Sequence, residues 1–217
     1  MQDIEIIKKD IKHIYIRIKP PAQVILSVPK RTKQKTIDNL LNEKQEWINK
    51  QLQSFAQHSS PKTLEYIEGD QLYFLGKSYP LKVLHAPHSH VEFKNQSIYL
   101  HTPNTSSIAH KEAIINQWYT EQAKLYFDQA ISKYHPYVNR PIHAVRIKKM
   151  KTRWGSCNHS KGYINLNVEL IKKPLEALEY VVFHELVHLI HPNHSKAFYY
   201  YIEQYMEDWK AREALLK

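Results

Sequence analysis

The chain has 217 residues, 42% of them hydrophobic and 12% aromatic, with 31 Lys and Arg against 21 Asp and Glu, a formal net charge of +10. That apolar content supports a packed core and excludes a disordered chain, and a single cysteine excludes a disulfide-stapled secreted fold. No run approaches the roughly 18 apolar residues of a membrane span, and no signal peptide is evident, so the expectation is a soluble, cytoplasmic protein without a membrane partner. Two values stand out: the positive charge, which suits an anionic partner, and 14 histidines, about three times ordinary usage.

Residues 4 to 28 read as strands. Ile14, Ile16 and Ile18 alternate with Tyr15, Arg17 and Lys19, and Val24, Leu26 and Val28 alternate again after a Pro20-Pro21 turn, which predicts a hairpin with one buried face. From Thr32, an expected N-cap, the apolar spacing turns helical through Ile37, Leu40, Leu41, Ile48, Leu52 and Phe55, and a polar loop follows at 58–63. Strand patterns resume at 72–75, 79–84, 91–93 and 97–101, with turns at Gly76-Lys77 and Asn95-Gln96. Composition changes at Thr102-Pro103-Asn104-Thr105, so the expected division is a β-rich N-terminal region, 1–103, and a mainly helical region, 104–217.

The second region opens with a long helix whose apolar face carries Ile114, Ile115, Trp118, Tyr119, Leu125, Tyr126 and Ile131, and which should end before Pro136. Val145 and Ile147 mark a strand, and Ile164, Leu166 and Val168 another. Between them lies Arg153-Trp154-Gly155-Ser156-Cys157, with Gly162 further on, a hairpin in which glycine serves positive φ or close backbone approach. Pro174 suits a helix start, and the helix from Leu175 to Ile190 has almost no polar face and must be buried. A last helical pattern starts at Ser195 and breaks near Asp208.

The buried helix carries His184-Glu185-Leu186-Val187-His188. Residues four apart on an α-helix are offset by about 40°, so both imidazoles can share one metal ion, while Glu185, about 100° round from His184, can reach a water on that ion. This is the zinc hydrolase arrangement, in which the metal acidifies its water and the glutamate takes the proton. Catalytic zinc usually takes three protein ligands. His194 is the favoured third: Pro192 disfavours helix at His191, and the chain can turn at Pro192-Asn193 before Ser195 caps the next helix. His191, three residues past His188, is the rival. A buried polar trio among valines and leucines is costly unless a metal satisfies it.

Residues 152–200, TRWGSCNHSKGYINLNVELIKKPLEALEYVVFHELVHLIHPNHSKAFYY, resemble the YgjP-like zinc metallopeptidases, relatives of the SprT-like and WLM peptidases. The RWGSC segment, the Pro-initiated helix with HELxH and the NHS segment occur in the family's order and spacing, and the likeness extends more loosely over the whole chain. The resemblance implies an α+β fold: a β-rich N-terminal half with one helix, and a helical, zincin-like C-terminal half with a short antiparallel sheet. It further implies Zn²⁺ held by His184, His188 and His194, Glu185 as general base, and a peptide or protein substrate. The metzincin pattern shares the ligand spacing, but His191 stands where its glycine would be, and no Met-turn follows. Tyr199 stands where YgjP-like chains commonly have Trp.

Arg153, Trp154, Gly155 and Ser156 are candidates for an edge along which a peptide adds as an extra strand, against the plainer reading of a packed hairpin. Cys157 reads as a small buried hydrophobe. Donors for the developing oxyanion include Arg153, His191, Tyr199, Tyr200 and Tyr201, among which the sequence does not choose. Basic clusters at Lys30, Arg31, Lys33 and Lys35, and at Arg146, Lys148, Lys149, Lys151 and Arg153, suit a nucleic-acid partner and carry the competing reading, a nucleic-acid-binding protein with a structural or vestigial zinc site. His85, His88, His90 and His101 read as surface residues.

Overall fold

The computed structural model describes residues 4–19, 23–57, 64–103 and 105–217, so the Pro20-Pro21 turn, the 58–63 loop, Asn104 and the Phe55 side chain lie outside the described residues. Contacts divide the chain into two units, 1–63 and 64–217.

The first unit is a three-stranded sheet followed by a helix. Strands β1 (Ile4–Lys9), β2 (Tyr15–Lys19) and β3 (Gln23–Pro29) take the order β1-β3-β2, with β2 antiparallel and β1 parallel to β3. The expected β2–β3 hairpin is present, and β3 is buried from Val24 to Val28 without alternation. Helix α1 (Gln34–Gln57) begins later than expected, because the Thr32 amide closes a turn onto the Pro29 carbonyl and the first helical bonds run from Thr36 and Ile37 to Lys33. Ile37, Leu40 and Leu41 on α1 pack with Leu26 and Val28 in a small core.

In the second unit, β4 (Gln71–Phe74), β5 (Lys77–His85), β6 (His90–Lys94) and β7 (Ser97–Thr102) form a sheet in the order β4-β5-β7-β6, with a parallel β5–β7 pair at its centre. Both tight turns use left-handed residue pairs, Leu75-Gly76 (φ 46° and 80°) and Asn95-Gln96 (48° and 54°), whose twist matches that of the flanking strands. The β4–β5 turn docks on the segment that leads to the site helix. Amides of Leu75 and Gly76 donate to the carbonyls of Ile171 and Lys172, and a Cβ on Gly76 would sit 2.7 Å from Pro174 Cγ. The sheet residues Leu72, Phe74, Leu81, Ile98 and Leu100 therefore belong to the same core as the C-terminal helices, and the compositional change near residue 103 falls inside this unit.

Helix α2 (Ile108–Val138) starts on Ser107, whose hydroxyl accepts from the His110 amide. Its buried face runs Ile115, Trp118, Tyr119, Ala123, Phe127, Ala130, Tyr134, Val138, whereas Leu125, expected on that face, is 51% exposed. The helix continues through Pro136 instead of ending before it. Burial of Tyr134 and Val138 offsets the one hydrogen bond a proline forfeits, and the helix closes at Asn139, left-handed at φ 48°, with its amide on the His135 carbonyl.

Strands β8 (Ala144–Lys148), β9 (Gly155–Asn158) and β10 (Tyr163–Asn167) form a third sheet, ordered β8-β10-β9. It is mixed, not wholly antiparallel: β9–β10 is the expected hairpin, and β8 pairs parallel to β10 because the chain passes through β9 before returning between them. A 3-10 turn (Val168–Lys172) leads to α3 (Leu175–Val187), α4 (Lys196–Tyr205) and α5 (Trp209–Ala214). Among the described residues, no helix is long and apolar enough to cross a membrane.

Glu179 ties three of these helices together. Its carboxylate accepts from Lys133 Nζ (2.8 Å) and the Tyr134 hydroxyl (2.9 Å) on α2 and from Arg212 Nη1 (2.8 Å) on α5. Burial alone would raise its pKa, but these hydrogen bonds outweigh it and hold the carboxyl below its ordinary 4.5. A carboxyl lowered in the folded state stabilises the fold above its unfolded pKa and loses that contribution as pH falls through the folded value. Glu179→Gln should therefore cost about 1–3 kcal/mol at pH 7, and the difference between the two proteins should shrink on acidification below pH 4.5. Urea unfolding at neutral pH and well below 4.5 measures it; a pH-independent difference would count against the ion-pair account.

Candidate metal centre and active site

Helix α3 is buried along nearly its whole length, and the imidazoles of His184 and His188 leave it on one face, as the four-residue spacing dictates, with ring centroids 4.9 Å apart. The helix ends at Val187, earlier than Pro192 alone would require. Leu189 and Ile190 donate to Leu186 and Val187 in tight turns, and His191 bonds back to Val187. The chain then reverses and delivers His194 to the other two, with His194 Nε2 3.0 Å from His184 Nε2. The three side chains place a ligand nitrogen each within 4.8 Å of one another. The His191 ring takes no part in this group and lies beside Tyr201; its carbonyl instead receives His188 Nδ1 at 3.0 Å. That bond puts the proton on Nδ1 and leaves His188 Nε2 as the free lone pair, the usual way a ligating histidine is oriented.

Beneath the trio lies Phe198 of α4, fully buried, its ring centroid 4.6 to 4.9 Å from each imidazole. This floor holds the rings upright, and only its place after the NHS turn hints at it in the sequence. His194 is exposed while His184 and His188 are partly covered, so the group opens to solvent on one side. Burial and the neighbouring imidazoles push His184 down to about 3, and burial lowers His188 as well. Both are thus neutral, the form in which imidazole binds a metal.

Glu185 is 5% exposed, and its Oε2 is buried with no hydrogen-bond partner, as is His184 Nδ1. Burial pushes the carboxyl up to about 8, against the opposing pull of the Arg153 charge. Orphaned polar atoms of this kind cost about 1–3 kcal/mol each. A divalent cation held by the three imidazoles would give the buried Glu185 carboxylate a compensating charge, so the donor set fits a zinc ion.

Gly155 makes room for this carboxylate. A Cβ there would meet Glu185 Oε1 at 2.5 Å and Cγ at 2.7 Å, so β9 runs against the glutamate with nothing between them. The close backbone approach expected for this hairpin is therefore an approach to Glu185, and Gly162 supplies the positive φ, at 60°. Gly155→Ala should displace the carboxylate and lower kcat/KM for peptide hydrolysis by about 10²-fold, at an overpacking cost of about 1–3 kcal/mol. Steady-state kinetics beside a thermal melt would check this, and full activity in a folded variant would show that Glu185 tolerates the shift.

The other residues of the RWGSC segment go different ways. Arg153 is exposed and close enough to act on the Glu185 charge. Trp154 turns to a different cavity, with Tyr73, Gly76, Lys173 and Pro174, and Lys173 Nζ sits 5.4 Å above its ring. The Ser156 hydroxyl accepts from Asn165 Nδ2. Cys157 is half-buried, its thiol pushed up to about 12 by burial and then by the Glu185 charge, which makes it an inert thiol. Asn167, which sequence reasoning missed, holds the approach to β9. Its side chain donates to the carbonyls of Met150 and Arg153 and accepts from the amides of Met150 and Glu169. Of the basic cluster, Lys148 and Lys149 share a cavity with Lys172 and Glu169, and Arg146 stacks on Tyr163 at 4.6 Å.

With this geometry in view, the YgjP-like metallopeptidase domain family matches residues 12–217. The chain belongs to that family. No curated protein sequence matches it. Among solved structures it is similar to the metallopeptidase zymogen abylysin of Pyrococcus abyssi, at 24% identity over 43% of this chain and 90% of that one, with a TM-score of 0.36. Jannalysin of Methanocaldococcus jannaschii, also a metallopeptidase zymogen, aligns at 22% identity over 43% and 92% of the two chains, again with a TM-score of 0.36. The family assignment makes this chain a metallopeptidase.

Proposed function

We propose that this metallopeptidase is zinc-dependent, with His184, His188 and His194 holding the ion and Glu185 as general base. The observation that carries the reading is the convergence of three ligand nitrogens within 4.8 Å, from residues on either side of a buried glutamate whose Oε2 has no hydrogen-bond partner. Bound zinc supplies a Lewis acid that acidifies a coordinated water and polarises a carbonyl. Glu185 would accept the proton of the attacking water and pass it to the leaving amine, a shuttle suited to a carboxylate whose burial keeps its proton affinity high. Phe198 and the His191 carbonyl keep the imidazoles from turning.

Strand β9 is the outer strand of its sheet and runs past Glu185. A substrate peptide laid along it as an added strand would bring its backbone to the carboxylate, with Arg153 and Ser156 flanking and Trp154 anchoring the strand from the far side. Metal analysis of protein purified without chelators tests the zinc assignment: about one equivalent is expected at the histidine trio, and less than about half an equivalent would overturn it. Cleavage of a mixed-sequence peptide library is the companion assay. Salt-sensitive DNA binding by Glu185→Gln, with no peptide cleaved by the parent protein, would favour the nucleic-acid reading instead.

A further inference from the structure

Outside the HExxH site of His184, Glu185, His188 and His194, a second group of metal-ligating side chains gathers on the outer strand pair of the four-stranded sheet. His90 and His101 are eleven residues apart, and the antiparallel register of β6 and β7 about the Asn95-Gln96 turn sets them directly opposite each other, with rings stacked at 4.1 Å and 7°. Glu92 lies two residues along β6 and so on the same face. Its Oε1 is 3.6 Å from His90 Nε2 and its Oε2 4.0 Å from His101 Nε2, and one ligand atom from each residue falls within 4.8 Å of the others. His101 Nε2 is buried and has no hydrogen-bond partner.

We propose that His90, Glu92 and His101 form a second metal site, one that takes a borderline divalent ion such as Zn²⁺ or Ni²⁺. Two imidazoles and one carboxylate are the donor set such ions prefer over Mg²⁺ or Ca²⁺. A simple ion pair does not account for the group, because His101 Nε2 makes no hydrogen bond to Glu92 and Lys94 Nζ already occupies Glu92 Oε2 at 2.6 Å. Stacked rings aim their lone pairs side by side, so sharing an ion requires one ring to turn. His90, with half its side chain exposed, is the ring free to do so, while His101 stays anchored at 17% exposure. The ion must also displace Lys94, which is half-exposed and lies over the Tyr99 ring at 4.9 Å. These two requirements make the site exchangeable, filled or emptied by metal supply, and its hold across β6 and β7 would pin the edge of the sheet.

Equilibrium dialysis against micromolar Zn²⁺ tests this with the full chain and with His90→Ala/His101→Ala. Each is also measured in a His184→Ala/His188→Ala background, so that the count at the second site does not depend on the first. The double variant should take up one equivalent less in both backgrounds and, where His184 and His188 are intact, keep the parent's peptidase activity. His90→Ala alone, at an exposed position that leaves folding undisturbed, should weaken the second site by roughly tenfold or more. Lys94→Ala should tighten it by roughly fivefold, as removal of a competing surface charge. Equal uptake by the parent and the double variant, or no tightening in Lys94→Ala, would overturn the proposal.

Discussion

Glu185→Gln is expected to abolish peptide hydrolysis while leaving metal content and fold intact. Loss of a general base typically removes about 10² to 10⁴ in rate, and here the isosteric amide keeps the shape of a side chain that is 5% exposed. Glu185 Oε2 has no hydrogen-bond partner to lose, and the charge is met by Arg153, which is exposed. The carboxyl, raised to about 8 by burial, is an uneasy occupant of its site without a cation, and a neighbouring dication would draw it back toward the ionised form that a base needs. The neutral amide costs less to bury than a charged carboxylate, so the variant should melt at the parent's temperature or above it. Kinetics on a fluorogenic peptide, with zinc analysis and a melt on the same preparation, separates the outcomes. Activity within twofold of the parent would remove Glu185 from the mechanism, and loss of zinc would make it a ligand.

Removal of the metal should have a comparable effect, and the histidines should rank in a way the geometry dictates. Chelation is expected to abolish activity, readdition of zinc to restore it, and the metal-free protein to melt lower, since an ion present at about 100 times its dissociation constant contributes roughly 2.7 kcal/mol. His184→Ala, His188→Ala and His194→Ala should each retain under about a tenth of an equivalent at the HExxH site after dialysis. His191→Ala is the discriminating variant: only its backbone carbonyl meets His188 Nδ1, and alanine keeps that carbonyl. It should hold zinc like the parent. Zinc loss in His191→Ala with retention in His194→Ala would reverse the assignment of the third ligand.

Much of this site was legible because it is local. The four-residue step from His184 to His188 fixes their shared face on any helix, the run of Val, Leu and Phe around them makes that helix a buried one, and Pro192-Asn193 forces a turn before His194. Helix ends were less so: α1 starts at Gln34 because Thr32 closes a turn on Pro29, and α2 passes through Pro136 because Tyr134 and Val138 are buried beyond it.

By itself, then, the sequence determined which residues could chelate and which helix would carry them, since periodicity and turn chemistry act over a few residues. Only the tertiary structure decided what surrounds them. Gly155 against Glu185, Phe198 against His184 and His188, and Asn167 across the approach to β9 join residues far enough apart in the chain, or on different elements, that no local pattern relates them. The division at residue 63 has the same origin. Strands β4 to β7 read in sequence as part of a β-rich first half, but their apolar faces are buried with α2 and α3, and shared burial, not neighbouring sequence, decides which unit a strand belongs to.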